Sequence, residues 1–407
     1  SHNFSMFKSL SLKVIIFGFI FTFFSSFGQS FFLGLFNSSI RDALSITHGQ
    51  FGTIYASATL CSSLLLIWVG KKIDDINIFK FAFYVTILLS FSCFFFSKIS
   101  SVIFLFIAIF LMRFSGQGMM SHTATTTISR YFTKSRGKAL SFGWFGLSVA
   151  EFILPVLMVY LLTIYAWQNI WLSIAILVLI FLPIASYILV KQLNLGSREK
   201  SENNEFKEDN VKQWRRIEVL KDYRFYIICS NMLAMPWIAT GVFVYQSFIT
   251  NSKGWGEYII AQSFMSYSVC SVVTLLISGF LIDKFTSRRL LIYMNIPLLI
   301  STFVIMFLSI PISAFLFLGL IGISNGLANV LGSSTWAEIY GVKYIGSIKA
   351  LTTALMVFST AFGTALFGVL IDFGFTIEKI AIVSAIYIFS SIVLLFLVRK
   401  KLNPVII

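Results

Sequence analysis

Two ionisable residues of opposite sign, Arg113 and Glu151, lie deep inside consecutive apolar stretches of this sequence. At 1.5 Å per residue, Arg113 is about 18 Å and Glu151 about 20 Å from where its stretch begins. Burial pushes a carboxyl towards its neutral form, and a nearby guanidinium pulls it back towards the charged one. Such a carboxyl can take up and release a proton as its surroundings change. A guanidinium at that depth can grip a carboxylate at two points. The pair could instead be a buried ion pair that only holds two helices together, and the residues alone leave both readings open. Gln117, one turn after Arg113, and Gln29, beside Gly28, add neutral polar groups in the first half of the chain. Tyr267, Asn325 and Asn329 do the same in the second half. Asn325 and Asn329 share one helical face at i, i+4 spacing, and Asn231 and Trp237 are further candidates. His122 falls half a turn out of phase with Arg113 and reads as a packing group.

Several chemistries are excluded. There is no Ser-His-Asp or HExxH constellation and no phosphate-cradling Gly-rich loop, so neither hydrolysis nor ATP use is expected. The three histidines, His2, His48 and His122, are too scattered for a metal site. Cys61, Cys93, Cys229 and Cys270 lie in apolar segments without CxxC spacing. The chain therefore reads as a non-enzyme with no cofactor and no metal. The formal charge of +15 is spread over short connections between apolar runs, which argues against a nucleic-acid surface.

The elements that must carry these residues are long. The chain has 407 residues, 57% hydrophobic and 12% charged, against about a quarter charged in soluble domains. Its natural solvent is lipid. A span needs about 20 apolar residues, and twelve such runs occur: 13–36, 49–70, 79–97, 101–123, 138–163, 167–190, 224–249, 258–282, 289–309, 311–333, 346–371 and 377–398. Twelve spans make the loops alternate sides. Of the 31 basic residues, only Arg41, Lys98, Lys253 and Lys379 fall on one side and Arg113 within a span; all others fall on the opposite side. The positive-inside rule makes that basic side cytoplasmic, with both termini there. The expected organisation is a tail at 1–12 without a cleavable signal, a six-helix bundle at 13–190, a cytoplasmic linker at 191–223, a second bundle at 224–398 and a tail at 399–407. The linker reads as flexible, with an amphipathic turn around Trp214 to Leu220.

A pattern recurs half a chain apart. Gly70-Lys71-Lys72-Ile73-Asp74 follows the second run, and Gly279-Phe280-Leu281-Ile282-Asp283-Lys284 with Arg288-Arg289 follows the eighth. This resembles the loop motif of major facilitator transporters, Gly-x-x-x-Asp-Arg/Lys-x-Gly-x-Arg/Lys-Arg/Lys. Thr286 stands at the second glycine of the later copy; Asp75 and Asn77 depart from the earlier one. Arg113-Phe114-Ser115-Gly116-Gln117-Gly118 and Arg136-Gly137-Lys138 are also similar to that family. The resemblance implies an all-α membrane protein of two pseudo-symmetric six-helix bundles. It further implies that Asp74, Asp283 and Arg288 latch the cytoplasmic side, with Asp74 near the start of span eleven at Gly346 and Asp283 near the start of span five at Gly137. Among branches, Gly116 to Thr123 and Trp336 to Ser347 are most similar to bacterial oxalate/formate and monocarboxylate carriers. The basic residues of an oxalate exchanger are missing from spans eight and eleven.

These readings converge on a secondary active carrier working by alternating access, expected to take up a small organic anion such as a monocarboxylate with protons. Arg113, Gln117, Gln29, Tyr267, Asn325 and Asn329 are the expected solute ligands, and Glu151 the proton carrier. The rivals are a proton-coupled exporter of amphipathic compounds and a transport-inactive sensor on the same fold. The expected setting is the cell inner membrane, with the chain as a monomer.

Overall fold

The computed structural model describes residues 2–132, 136–193, 210–341 and 343–407. Two compact units divide the chain, Ser1–Glu202 and Asn203–Ile407. Among the described residues, twelve helical spans are long and apolar enough to cross a membrane. Spans one to six are Ser9–Gly28, His48–Val69, Ile78–Phe96, Val102–Ile128, Ser141–Ile164 and Trp167–Val190. Spans seven to twelve are Tyr223–Val244, Glu257–Phe285, Ser287–Phe307, Ile312–Tyr340, Leu351–Asp372 and Ile377–Lys401. The protein is a multi-pass integral membrane protein.

Polar residues in the short connections start several spans. The Thr47 hydroxyl accepts from the Gln50 N–H while the Gln50 side chain accepts from the Thr47 N–H, closing a capping box ahead of span two. Asn77, Ser101 and Thr376 cap spans three, four and twelve in the same sense.

Within each unit the packing follows one scheme. Span one packs on five, two on four and three on six; in the other unit seven packs on eleven, eight on ten and nine on twelve. The two copies share a device. A Cβ on Gly146 of span five would stand 2.0 Å from the Phe19 carbonyl oxygen, and one on Gly363 of span eleven 2.2 Å from that of Trp237. Each glycine lets two backbones touch, at corresponding places half a chain apart.

Two spans are less regular than their apolar runs suggest. Span one is not one unbroken helix to 36. It tightens at Ser26–Gly28, Gln29 turns extended at φ −83°, ψ 154°, and helix resumes at Ser30–Leu33. Span seven is interrupted at Leu233, between the helices Tyr223–Met232 and Ala234–Val244. Pro236 carries no N–H to return to the Met232 carbonyl, which accounts for the break there.

The second unit also folds residues on both flanks of its bundle. Residues 216–220 form a short helix, and Val211 pairs with Ile406 in an antiparallel bridge. Beneath them Asp222 and Arg224 form a buried ion pair at 3.0 Å. Arg224 also donates to the carbonyls of Lys401 (2.8 Å) and Asn403 (3.0 Å), and Tyr340 at the end of span ten donates to Asp222 at 2.9 Å. The part of the linker expected to be flexible is, from 210 onwards, fastened to spans seven and ten. Residues 194–209 lie outside the described residues. At the other end of this unit, the buried Lys253 ammonium pairs with Glu378 at 3.0 Å and donates to the Ile305 carbonyl.

Candidate functional site

The break in span one positions the site in the first unit. Because Gln29 is extended, the Phe32 N–H bonds to the Gln29 carbonyl, and the Gly28 carbonyl is left outside the helical ladder. Span four meets this point with a wide, π-helical stretch from Arg113 to Met120. Such bulges occur often at functional sites. Only glycine fits on either side: a Cβ on Gly28 would stand 2.2 Å from the Met112 carbonyl and one on Gly116 2.8 Å from the Gly28 Cα.

Into this junction Arg113 reaches. Its side chain is 4% exposed, and Nη1 donates to the freed Gly28 carbonyl at 2.9 Å. The guanidinium carbon lies 5.3 Å from the centre of the Tyr55 ring on span two, and the Tyr55 hydroxyl shares a 2.9 Å hydrogen bond with Ser30. Arg113 Nε has no partner among the described residues. Gln29 and Gln117 flank Gly28 from spans one and four, both half-buried.

Glu151 sits on span five. Gly18 abuts Gly143, and Phe19 and Thr22 abut Gly146, so spans one and five run parallel in that register. The register brings Glu151 to about the level of Ser26, within a turn of the Gly28 carbonyl. Glu151 is half-buried and forms no ion pair or hydrogen bond among the described residues. The buried Arg113–Glu151 ion pair, one of the two arrangements open from the sequence, does not form: Arg113 turns instead to the helix break, which offers a carbonyl with no other donor among the described residues. His122 is likewise occupied, its Nε2 lying 2.8 Å from the Gly70 carbonyl. It holds the connection after span two to span four, and Arg130 holds the same connection at the Ile73 carbonyl, 3.2 Å away.

In the second unit the candidates divide. Tyr267 is buried and packs edge-on against Phe243. Asn325 donates to the Ser271 hydroxyl at 2.9 Å, tying span ten to eight, while Asn329 one turn on is exposed. Asn231 is a structural tie, donating to the Ser391 carbonyl and accepting from Asn295 through its own backbone. Trp237 is enclosed by Phe362, Phe367 and Tyr387, and its indole N–H has no partner among the described residues.

Of the loop-motif residues, Asp283 is exposed. Arg288 stands 3.6 Å from Glu338 of its own unit, and the Glu338 carboxylate accepts from the Ser287 N–H at 2.7 Å. Thr286 has φ +69°, ψ 151°, a region otherwise almost confined to glycine. A β-branched residue holds this backbone at the position where the resembled loop motif has glycine. The Asp74 side chain, and the surroundings of Gly137 and Gly346, lie outside the described residues.

Tyr55 was not legible as a site residue. It is one of 15 tyrosines, and nothing local in the sequence marks the ring under Arg113. The break at Gln29 was equally silent, since one glycine in an apolar run carries no signal of its own.

Comparison with known proteins follows the same outline. No curated protein sequence matches the chain. A bacterial homologue of the human lysosomal transporter Spinster, in an inward-facing and unoccupied conformation, superposes with a TM-score of 0.74 at 13% identity, covering 97% of this chain and 99% of that one. The nucleoside transporter NupG superposes with a TM-score of 0.68 at 15% identity, covering 97% and 98%. The sequence family described as Major Facilitator Superfamily matches residues 18–364. With that match over most of its length, twelve spans and one packing scheme in both units, the chain belongs to the major facilitator superfamily and is a membrane transporter, not an enzyme.

Proposed function

We propose that this transporter takes up a small organic anion, such as a monocarboxylate, together with protons, with Arg113 as the anion's ligand and Glu151 as the proton carrier. The observation that carries this reading is the company Arg113 keeps. It is a buried cation whose partners are a carbonyl and an aromatic face, with one N–H unbonded and no carboxylate in ion-pair reach among the described residues. A charge buried in this way costs several kcal/mol unless an opposite charge meets it. An anionic solute would supply that charge, and a neutral one would not. The nucleoside in NupG's description belongs to that protein, and a guanidinium with no carboxylate partner among the described residues argues for a different solute here.

Glu151 stands near the same depth without a partner among the described residues, so its charge is free to be set by proton uptake. The basic side is taken as cytoplasmic, in the cell inner membrane. Asp74 and Asp283 are taken as carboxylates that latch that side, with Arg288 in a supporting place held by Glu338. Gln29, Gln117, Tyr267, Asn325 and Asn329 remain the proposed neutral ligands; of these, Gln29 and Gln117 flank Gly28.

A thermal-shift screen of small carboxylates against matched amides tests the reading, since a ligand stabilises the state it binds. Stabilisation by carboxylates and not by amides is expected. Equal stabilisation by both would remove the reason for calling the solute an anion.

A further inference from the structure

Beside the short helix 216–220 lies an open cleft of about 490 Å³, lined by Arg215, Arg216, Ile217, Leu220 and Tyr344. Its charge is one-sided. The Arg215 guanidinium lies 5.8 Å and the Lys343 ammonium 5.5 Å from the centre of the Tyr344 ring. The Arg215 guanidinium, then Lys343, holds the Tyr344 hydroxyl below its usual range, as a locally positive field should. The nearest acid, Glu218, is taken up by Lys212 at 2.9 Å and by the Arg215 backbone N–H. Arg216 is exposed and has no acidic partner among the described residues.

The cleft also has an apolar lip beside the start of span seven. Ile217 is 59% exposed, and Tyr223 and Tyr226, in the first turn of span seven, are about half exposed. The Tyr226 hydroxyl donates to the carbonyl of Leu220, a cleft residue, at 2.6 Å. Tyrosines at a span's end sit at headgroup depth, apolar ring towards the chains and hydroxyl towards water. A guanidinium pair above such a belt matches a phosphate carried on acyl chains. A free phosphate would make no use of Ile217 or the tyrosine rings.

We propose that this cleft binds the phosphate of an anionic phospholipid of the cytoplasmic leaflet, held by Arg215 and Arg216 with the acyl chains leaving past Ile217 and Tyr226. The lipid thereby fixes the 216–220 helix, and through it the start of span seven, to the membrane surface. The proposal rests on the basic side being cytoplasmic and is independent of the solute.

Native mass spectrometry of the full-length protein in detergent tests it, using phosphatidylglycerol and phosphatidylcholine of identical chains. Phosphatidylglycerol should be retained preferentially. R215Q/R216Q should lower its apparent affinity by about fivefold per arginine. K400Q/K401Q, which removes the same charge elsewhere on the basic side, should leave it unchanged. Should R215Q/R216Q fail to fold, R216Q alone carries the comparison, because that side chain has no acidic partner to lose among the described residues. Equal retention of both lipids, an equal loss in K400Q/K401Q, or displacement of the lipid by an equal concentration of inorganic phosphate would each overturn the proposal. Transport is not measured, so these outcomes stand apart from those that test the solute.

Discussion

On the proposed reading, Arg113 carries two duties that a lysine could not share. Its Nη1 satisfies the Gly28 carbonyl, and its unbonded Nε–H would serve the ligand. Arg113→Lys keeps the charge and loses the fork. Carboxylate affinity is expected to fall by roughly 10- to 100-fold, the worth of one or two charge-assisted hydrogen bonds; isothermal titration with a carboxylate reads it. Full affinity in this variant would mean that the solute is not gripped as a carboxylate. Glu151→Gln mimics the protonated carboxyl. Binding should persist without pH dependence, accumulation driven by a proton gradient should stop, and exchange of bound for free solute should continue in proteoliposomes. Because Glu151 and Arg113 are not paired, the variant should lose little stability. A loss of about 3–5 kcal/mol, the signature of stripping a buried ion pair, would show that the two meet in another state of the carrier.

At the scale of the helices, the backbone at Thr286 and the glycines at span crossings make separate demands. Thr286 holds a φ of +69° where a β-branched residue is strained. Thr286→Gly should raise stability by about 1 kcal/mol, the strain relieved less glycine's greater freedom in the unfolded chain; the midpoint of thermal unfolding measures it. Gly146→Ala and Gly363→Ala should each do the reverse, costing about 1–3 kcal/mol as an added methyl forces two backbones apart. Unchanged stability in either would mean that spans one and five, or seven and eleven, can slide without cost. Much of this scale was legible in advance. Runs of about 20 apolar residues announce spans, the doubled Gly-to-Asp pattern announces the repeat, and Arg113 stands out as a charge amid apolar residues. The extended Gln29, the Tyr55 ring and the Asn325–Ser271 bond were not legible. They depend on which helix faces which, and hydropathy and period do not carry that information.

For the molecule as a whole, the distribution of lysine and arginine predicts how the chain is threaded. In a cysteine-free background, cysteines at 205 and 400 should react only with reagents on the cytoplasmic side, and one at 252 only from outside; labelling of 205 from outside would break the twelve-span count. Ser252 is the better outer reporter because Lys253 beside it is buried against Glu378. The contact between Arg224 and the backbone at Lys401 and Asn403 joins residues 177 and 179 positions apart, and no local pattern foretells it. It also sets a clock on biosynthesis. At about 5–20 residues per second, a ribosome needs roughly 10–35 s to pass from Arg224 to Asn403. For that interval the guanidinium that heads span seven has Asp222 as its companion and lacks the carbonyls that later enclose it. Nascent chains arrested before residue 401 should be cut by trypsin after Arg224, and chains arrested well past 403 should resist. Equal resistance in both would mean that Asp222 alone shelters the newborn span.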